Sequence, residues 1–259
     1  MKVLVVGRGW TGNKVFAELR SRDIDAKLVS HDESLREVNS LFYHWVVNCA
    51  GVTGSPNVDA CELNPYDTMN GNVTFPVMLH RETVKNHSRF MHWSSGCIYQ
   101  GDINSVDAAP NFSGSIYSIS KGVSDAYLKD KAVVIRIRMP FSSIMEPKNL
   151  ITKVASYAAN GKLYNAGQNS MTDHDEAVRV SVDLLQENVN DGPYNLVNPG
   201  SMDMNQIVQL MNLRKVNWYT KEEFIARTSC ERSTCVIPAN SRMRTLEEAF
   251  REAVRKCYS

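Results

Sequence analysis

The chain has 259 residues, enough to bury one large core or a large domain with a smaller lobe. Its 29 basic and 28 acidic residues leave a net charge of +1, which removes any global electrostatic case for nucleic acid or an anionic membrane, so an anionic ligand must be caught locally. Six cysteines (Cys49, Cys61, Cys97, Cys230, Cys235 and Cys257) form no C-x-x-C pair and the histidines lack ligand spacing, so neither disulfides nor a metal site is expected. The opening "MKVLVVGRGW" has an apolar run too short for a signal peptide and no window approaches a membrane span, so the expectation is a cytoplasmic chain with reduced thiols.

In chain order, "KVLVV" (2–6) leads into a helix from about Thr11, followed by "AKLVS" (26–30), "WVVNCA" (45–50), a helix near 65–85, "RFMHWS" (89–94), a helix from Ser115, and "AVVIRI" (132–137). Short β-branched runs alternating with longer helical patterns predict βα units and a parallel sheet. After Pro140 the texture becomes loop-rich, with helices expected near 149–160, 173–187, 203–213, 220–228 and 244–257. The predicted architecture is α/β: a Rossmann-type doubly wound parallel sheet over 1–140, then a smaller, interleaved C-terminal substrate lobe over 141–259, with "YNLVN" (194–198) returning to the main sheet.

"KVLVVGRGWTGNKVF" places Gly7, Gly9 and Gly12 in G-x-G-x-x-G, directly after a predicted strand and opening a predicted helix. Glycine permits the tight turn and close backbone approach, and a helix N-terminus points N–H groups at a pyrophosphate, so a dinucleotide is expected here. Candidate cofactor residues are Gly7, Arg8, Gly9, Trp10, Thr11 and Gly12, with Ser30, His31, Ala50 and Gly51 at the ends of the next strands. Asp32 lies near the position of a ribose-binding acid, but the second strand is expected to end at Ser30, before it. Arg8 and His31 could instead hold a 2′-phosphate, which favours NADPH, with NADH as the other option.

In "GSIYSISKG", Tyr117 and Lys121 stand at i and i+4 of a predicted helix, hence on one face. A phenol of pKa about 10 needs a neighbouring ammonium before it can exchange protons near neutrality. Lys121 would supply that field, Tyr117 would hand a proton to a carbonyl oxygen as hydride arrives, and Ser95 at a strand end would hydrogen-bond the same oxygen. Tyr117 and Lys121 therefore count both as catalytic and as cofactor-contacting candidates. This set resembles the extended short-chain dehydrogenase/reductase superfamily.

Longer strings narrow the likeness: "GVTGSPNVDACE" (51–62), "SSGCIY" around 95–99, "NFSGSIYSISK" (111–121), "IRIRMPFSS" (135–143), "NLITKV" (149–154), "NSMT" (169–172) and "NLVNPG" (195–200). Together they resemble the plant-type bifunctional nucleotide-rhamnose synthases, which are 3,5-epimerase/4-reductases, and beyond them dTDP-4-dehydrorhamnose reductase and GDP-fucose synthase. The likeness runs in order from Gly7 to about Gly200 and fades to fragments such as "NSRM" (240–243). It implies an NDP-4-keto-6-deoxy-D-glucose substrate, epimerised at C3 and C5 and then reduced at C4 by NADPH to NDP-β-L-rhamnose.

On that resemblance Cys97 and Lys153 are the pair that exchanges protons with C3 and C5, with the order of removal and return left open. Thr53, Gly54, Asn57, Asn149, Asn169, Ser170 and Met171 are candidate substrate contacts, and Asn72 is read as either a contact or a structural helix residue. The chain departs from the family in a glycine loop one residue shorter than G-x-x-G-x-x-G, which bears on cofactor choice, and in a shorter segment between Cys97 and Tyr117. The competing expectations are a 4-keto reductase that accepts an already epimerised sugar, and a non-catalytic NADP-binding subunit. No partner beyond the nucleotide sugar is implied except a second copy, a homodimer being expected from relatives that pair through helices beside the catalytic one.

Overall fold

In chain order the elements of the computed structural model are β1 (Lys2–Val6), α1 (Trp10–Ser21), β2 (Asp25–Val29), α2 (His31–Ser40), β3 (Trp45–Asn48), α3 (Pro65–Met69), α4 (Phe75–Lys85), β4 (Arg89–Ser95), β5 (Gly101–Ile103), α5 (Ile116–Leu128), β6 (Val133–Ile137), β7 (Pro140–Phe141), α6 (Leu150–Asn160), β8 (Thr172–Asp173), α7 (His174–Gln186), β9 (Gly192–Asn195), α8 (Met204–Leu210), α9 (Lys221–Ile225), β10 (Thr234–Val236) and α10 (Leu246–Cys257). The structure describes residues 1–228, 233–238 and 242–259. Cys230 and the first two residues of "NSRM" lie outside them.

Six parallel strands form the central sheet in the order β2-β1-β3-β4-β6-β9. Val3 to Val6 of β1 are fully buried, as a strand covered by helices on both faces requires. On one face Val3, Val5, Val47 and Met91 pack with Val15 and Leu19 of α1 and Val178 and Val182 of α7. On the other, Leu4, Val46, Phe90 and Val134 pack with Val38 of α2, Phe75 and Leu79 of α4, and Leu128 of α5. A separate core gathers Phe141, Ile151, Val154, Met171, Ile207 and Phe250 from β7, α6, α8, α10 and the loops between them. Because successive strands leave β1 in opposite directions, a crevice opens at the carboxyl ends of β1 and β3. Among the described residues no helix is long and apolar enough to cross a membrane.

Four local features differ from the sequence expectation. The second strand ends at Val29, and Ser30 caps a helix, α2, that its polar run "HDESLREVNS" does not advertise. A capping box starts it, Ser30 pairing with Glu33, and only Ser34 and Val38 are buried. The helix expected over 65–85 exists, but a π-helical turn, Asn70–Thr74, divides it into α3 and α4. The returning strand is Gly192–Asn195 rather than 194–198, and α7 from the second half packs with α1 against the main sheet. Finally, the two-stranded parallel pairs β5–β10 and β7–β8 are too short to carry a periodic signal.

Candidate active site

The crevice is a cavity of about 1400 Å³ whose wall runs from the glycine loop to the first turns of α6. The loop is built for backbone approach. Gly7 has φ +107°, and a Cβ there would lie 2.7 Å from the Ala50 nitrogen, while one on Gly12 would lie 1.8 Å from the Gly7 carbonyl oxygen. Gly9 differs: a Cβ would meet nothing within 4 Å, so its missing side chain leaves open space on the cavity wall beside the N-terminus of α1. That is the space a pyrophosphate needs over N–H donors. Gly12 itself packs under the loop and does not line the cavity.

Behind the loop, Trp10 stacks on His174 at 4.0 Å and Thr11 Oγ1 lies 3.0 Å from His174 Nε2. Burial drives the His174 imidazole down to about 3, so it stays neutral and serves as packing. Arg8, Ser30, His31 and Asp32 line the adjacent wall. Arg8 pairs with Glu33 at 3.0 Å, and Glu33 also accepts hydrogen bonds from the Ser30 N–H and hydroxyl, each at 2.8 Å, which hold its carboxyl below the usual range. Ala50 and Gly51 complete this side, and a Cβ on Gly51 would come within 3.1 Å of Lys121 Nζ.

Ser95 ends β4, and its Oγ accepts the Cys97 N–H at 3.1 Å, setting the 3-10 turn Gly96–Ile98 that carries the thiol. Tyr117 and Lys121 sit one turn apart on α5, whose N-cap Ser115 accepts the Ser118 N–H. Both are nearly buried; Lys121 donates to the Trp93 carbonyl at 3.4 Å, and burial lowers its ammonium to about 8. Lys153 faces the same cavity from α6, its pKa lowered by burial and then by nearby Lys148. Ser95, Cys97, Tyr117, Lys121 and Lys153 therefore all line one cavity, together with Thr53, Gly54 and Asn57.

Four residues expected to touch substrate do not line the cavity. Asn149 is fully buried, where it caps α6 by accepting the Ile151 N–H at 3.0 Å and donates to the carbonyls of Ser142 (2.8 Å) and Ile144 (2.7 Å). Asn169 accepts from Arg138 Nη2 at 2.5 Å and from the Thr234 N–H at 3.1 Å. Ser170 accepts the Val236 N–H, and Met171 fills the second core. The polar groups of Asn149 and Ser170 are spent on backbone, and Asn169 Oδ1 is divided between the Arg138 guanidinium and the Thr234 N–H. Asn72 does the same: its amide exchanges hydrogen bonds with both backbone groups of Val52, each at 2.9 Å, and donates to Ser120 Oγ at 3.1 Å, tying the π-helical turn to α5.

The sequence reading passed over Arg138, Lys148 and Met139, all on the cavity wall. Arg138 Nη1 lies 3.5 Å from Cys97 Sγ. Lys148 Nζ donates to Thr53 Oγ1 at 3.0 Å, joining two segments of the cavity lining. Met139 turns the chain after β6 at φ +40°. A visible hint was the arginine pair two apart in "IRIRMP", at the end of a strand otherwise apolar.

No family model matches the chain. It is 31% identical over 225 residues to the bifunctional dTDP-4-dehydrorhamnose 3,5-epimerase/dTDP-4-dehydrorhamnose reductase of Arabidopsis thaliana, covering 80% of this chain and 73% of that protein. It is 32% identical over 228 residues to a trifunctional UDP-glucose 4,6-dehydratase/UDP-4-keto-6-deoxy-D-glucose 3,5-epimerase/UDP-4-keto-L-rhamnose-reductase of the same plant, covering 81% of this chain and 33% of that protein, so it spans about a third of that relative's length. Among solved structures, the UDP-rhamnose synthase of Acanthamoeba polyphaga mimivirus superposes with a TM-score of 0.88 at 24% identity, covering 99% of both chains. A dTDP-4-dehydrorhamnose reductase from Bacillus anthracis, solved in complex with NADP, superposes at 0.79 with 16% identity, covering 100% of this chain and 99% of that one. The two structures carry the fold. The bifunctional Arabidopsis relative places the chain in the rhamnose-synthase family of sugar-nucleotide 3,5-epimerase/4-reductase enzymes, on a fold of the extended short-chain dehydrogenase/reductase type.

Proposed function

We propose that the chain converts an NDP-4-keto-6-deoxy-D-glucose to NDP-β-L-rhamnose by epimerisation at C3 and C5 followed by NADPH-dependent reduction at C4. The observation that carries this reading is the convergence of Ser95, Cys97, Tyr117, Lys121 and Lys153 on one cavity that also contains the glycine loop. The bifunctional relative's name supports both half-reactions, and the NADP in the Bacillus anthracis structure supports the cofactor.

The glycine loop and the N-terminus of α1 would hold the pyrophosphate, with Arg8, Ser30 and His31 toward the adenosine end. When bound, NADPH supplies the hydride for C4. Tyr117 gives its phenolic proton to the C4 oxygen, and Lys121 one turn away stabilises the phenolate left behind. Ser95 donates to the same oxygen. In the epimerisation half, the hydrogens at C3 and C5 are acidic because they flank the ketone. Removing one sends its bonding electrons to the C4 oxygen as an enolate, which the Ser95 and Tyr117 hydroxyls stabilise. Cys97 and Lys153, the second with an ammonium weakened by burial, exchange protons with the ring carbon from the two sides.

An NMR time course with UDP- and dTDP-4-keto-6-deoxyglucose in deuterated water tests this. Without NADPH, deuterium is expected at C3 and C5; with NADPH, the rhamnose product forms, and the two rates give the nucleotide preference. Reduction of a pre-epimerised sugar without deuterium uptake would restrict the chain to 4-keto reduction. Failure to oxidise NADPH with any of these sugars would overturn the catalytic reading.

A further inference from the structure

Arg138 follows β6 and is almost wholly buried, yet it lies on the wall of the cavity. Among the described residues, three contacts hold its guanidinium. Nε donates to the Thr234 carbonyl at 3.2 Å, Nη2 donates to Asn169 Oδ1 at 2.5 Å, and Nη1 points at Cys97 Sγ from 3.5 Å. The aliphatic stem runs in ordinary contact past Gly96, where a Cβ would lie 3.5 Å from Arg138 Cδ, and the Arg138 N–H donates to Thr172 Oγ1 at 3.0 Å. Among the described residues, backbone and amide oxygens thus clamp two of its nitrogens, and the third is aimed at the sulfur.

We propose that Arg138 is a positioning residue that holds Cys97 in the cavity as a thiolate, ready to accept a proton from the sugar ring. The proposal rests on the epimerase/reductase reading and deepens it. A fixed guanidinium at hydrogen-bond distance stabilises S⁻ over S–H, because an opposite charge within about 4–6 Å favours the charged form. Among the described residues, the titratable Tyr117 and Lys121 of α5 and Lys153 of α6 line the same cavity, and Cys235 of β10 feels the charges of Asp102 of β5 and of Arg138. Lys121 and Lys153 add positive charge to the cavity lining.

The proton balance follows. The thiolate takes the ring hydrogen as S–H, and the C–H electron pair moves to the C4 oxygen as enolate. The Lys153 ammonium then returns a proton to carbon from the other side, and the enolate pair re-forms the ketone. The cycle closes when the thiol proton is passed back to the lysine amine through solvent. This assignment also gives Asn169 a role that its position off the cavity wall otherwise lacks: it holds the arginine.

The test is the pH dependence of iodoacetamide alkylation of Cys97 in the full chain, followed by mass spectrometry of its peptide, with Cys97→Ser as the unlabelled control. In Arg138→Gln the half-maximal rate is expected to move up by about one to three pH units, and Asn169→Ala, which loosens the clamp but keeps the charge, is expected to move it the same way by less. Deuterium uptake at C3 and C5 by Arg138→Gln is expected to fall at least ~10-fold at pH 7 and to recover as pH rises. Alkylation profiles that superimpose on the wild type in whichever of the two variants folds overturn the proposal. The alkylation readout needs no sugar, so absence of deuterium uptake in the wild type would sink the epimerase reading and leave the arginine–thiol result to be judged by itself.

Discussion

Arg136 and Asp125 face each other as a bidentate pair between β6 and α5, Nε to Oδ2 at 2.9 Å and Nη2 to Oδ1 at 2.5 Å, with neither side chain exposed. Asp125 also accepts from Ser94 Oγ at 3.0 Å, one residue before Ser95. One carboxylate therefore ties the helix that carries Tyr117 and Lys121 to the strand end that carries Ser95. Arg136 satisfies a further donor on the Val106 carbonyl at 2.6 Å.

Breaking that pair from one side leaves a buried charge uncompensated, so Asp125→Ala is expected to destabilise the fold by about 3–5 kcal/mol. Urea denaturation measures it. The double variant Asp125→Leu, Arg136→Met is expected to recover most of the stability, because replacing both charges removes the orphan. A double variant no more stable than Asp125→Ala would contradict this account.

Lys121 is held at a cost. Burial lowers its ammonium to about 8 against 10.5 for a free lysine, so between those values the unfolded chain binds more protons than the folded one and stability rises with pH. In cofactor-free protein, Lys121→Met is expected to stabilise the fold by roughly 3 kcal/mol at pH 7. The advantage should shrink as pH climbs through that window, and ketone reduction should be lost. Denaturation midpoints at several pH values decide it: a difference flat from pH 7 to the lysine range would mean that Lys121 is no less protonated in the folded state.

The glycine loop separates fold from binding at two positions. Gly12→Ala would drive a Cβ into the Gly7 carbonyl and is expected to lower the melting temperature sharply. Gly9→Ala meets open space, so the protein should fold normally while NADPH affinity falls ~10-fold or more, measured by fluorescence titration. Equal losses of stability in both variants would contradict this separation.

Cys97→Ser is expected to reduce deuterium incorporation at C3 and C5 by at least ~100-fold while reduction of a pre-epimerised 4-keto sugar persists. Asn149→Ala acts at one remove: it uncaps α6, at about 1 kcal/mol, and should slow epimerisation through Lys153 more than it slows reduction. Unchanged deuterium uptake in the Cys97 variant would remove the epimerase claim.

Much of this protein was legible in the chain alone, because the signals were local. The five-residue run before Gly7 specifies a buried strand, the glycine spacing a phosphate turn, and the i, i+4 spacing of Tyr117 and Lys121 a shared helix face. Helix α2 was hidden because its polar sequence buries only two side chains and depends on the Ser30–Glu33 cap. The roles of Asn149 and Asn169 were hidden for a different reason: an asparagine beside a loop reads the same whether its amide meets ligand or backbone, and its partners lie up to 65 residues away. Tertiary structure alone decided that Arg138 meets Cys97 across 41 residues of sequence. Spacing along a helix or strand constrains only near neighbours; which strand ends meet at the crevice, and so which charge lies against which nucleophile, is decided when the parallel strands pair and their crossovers close.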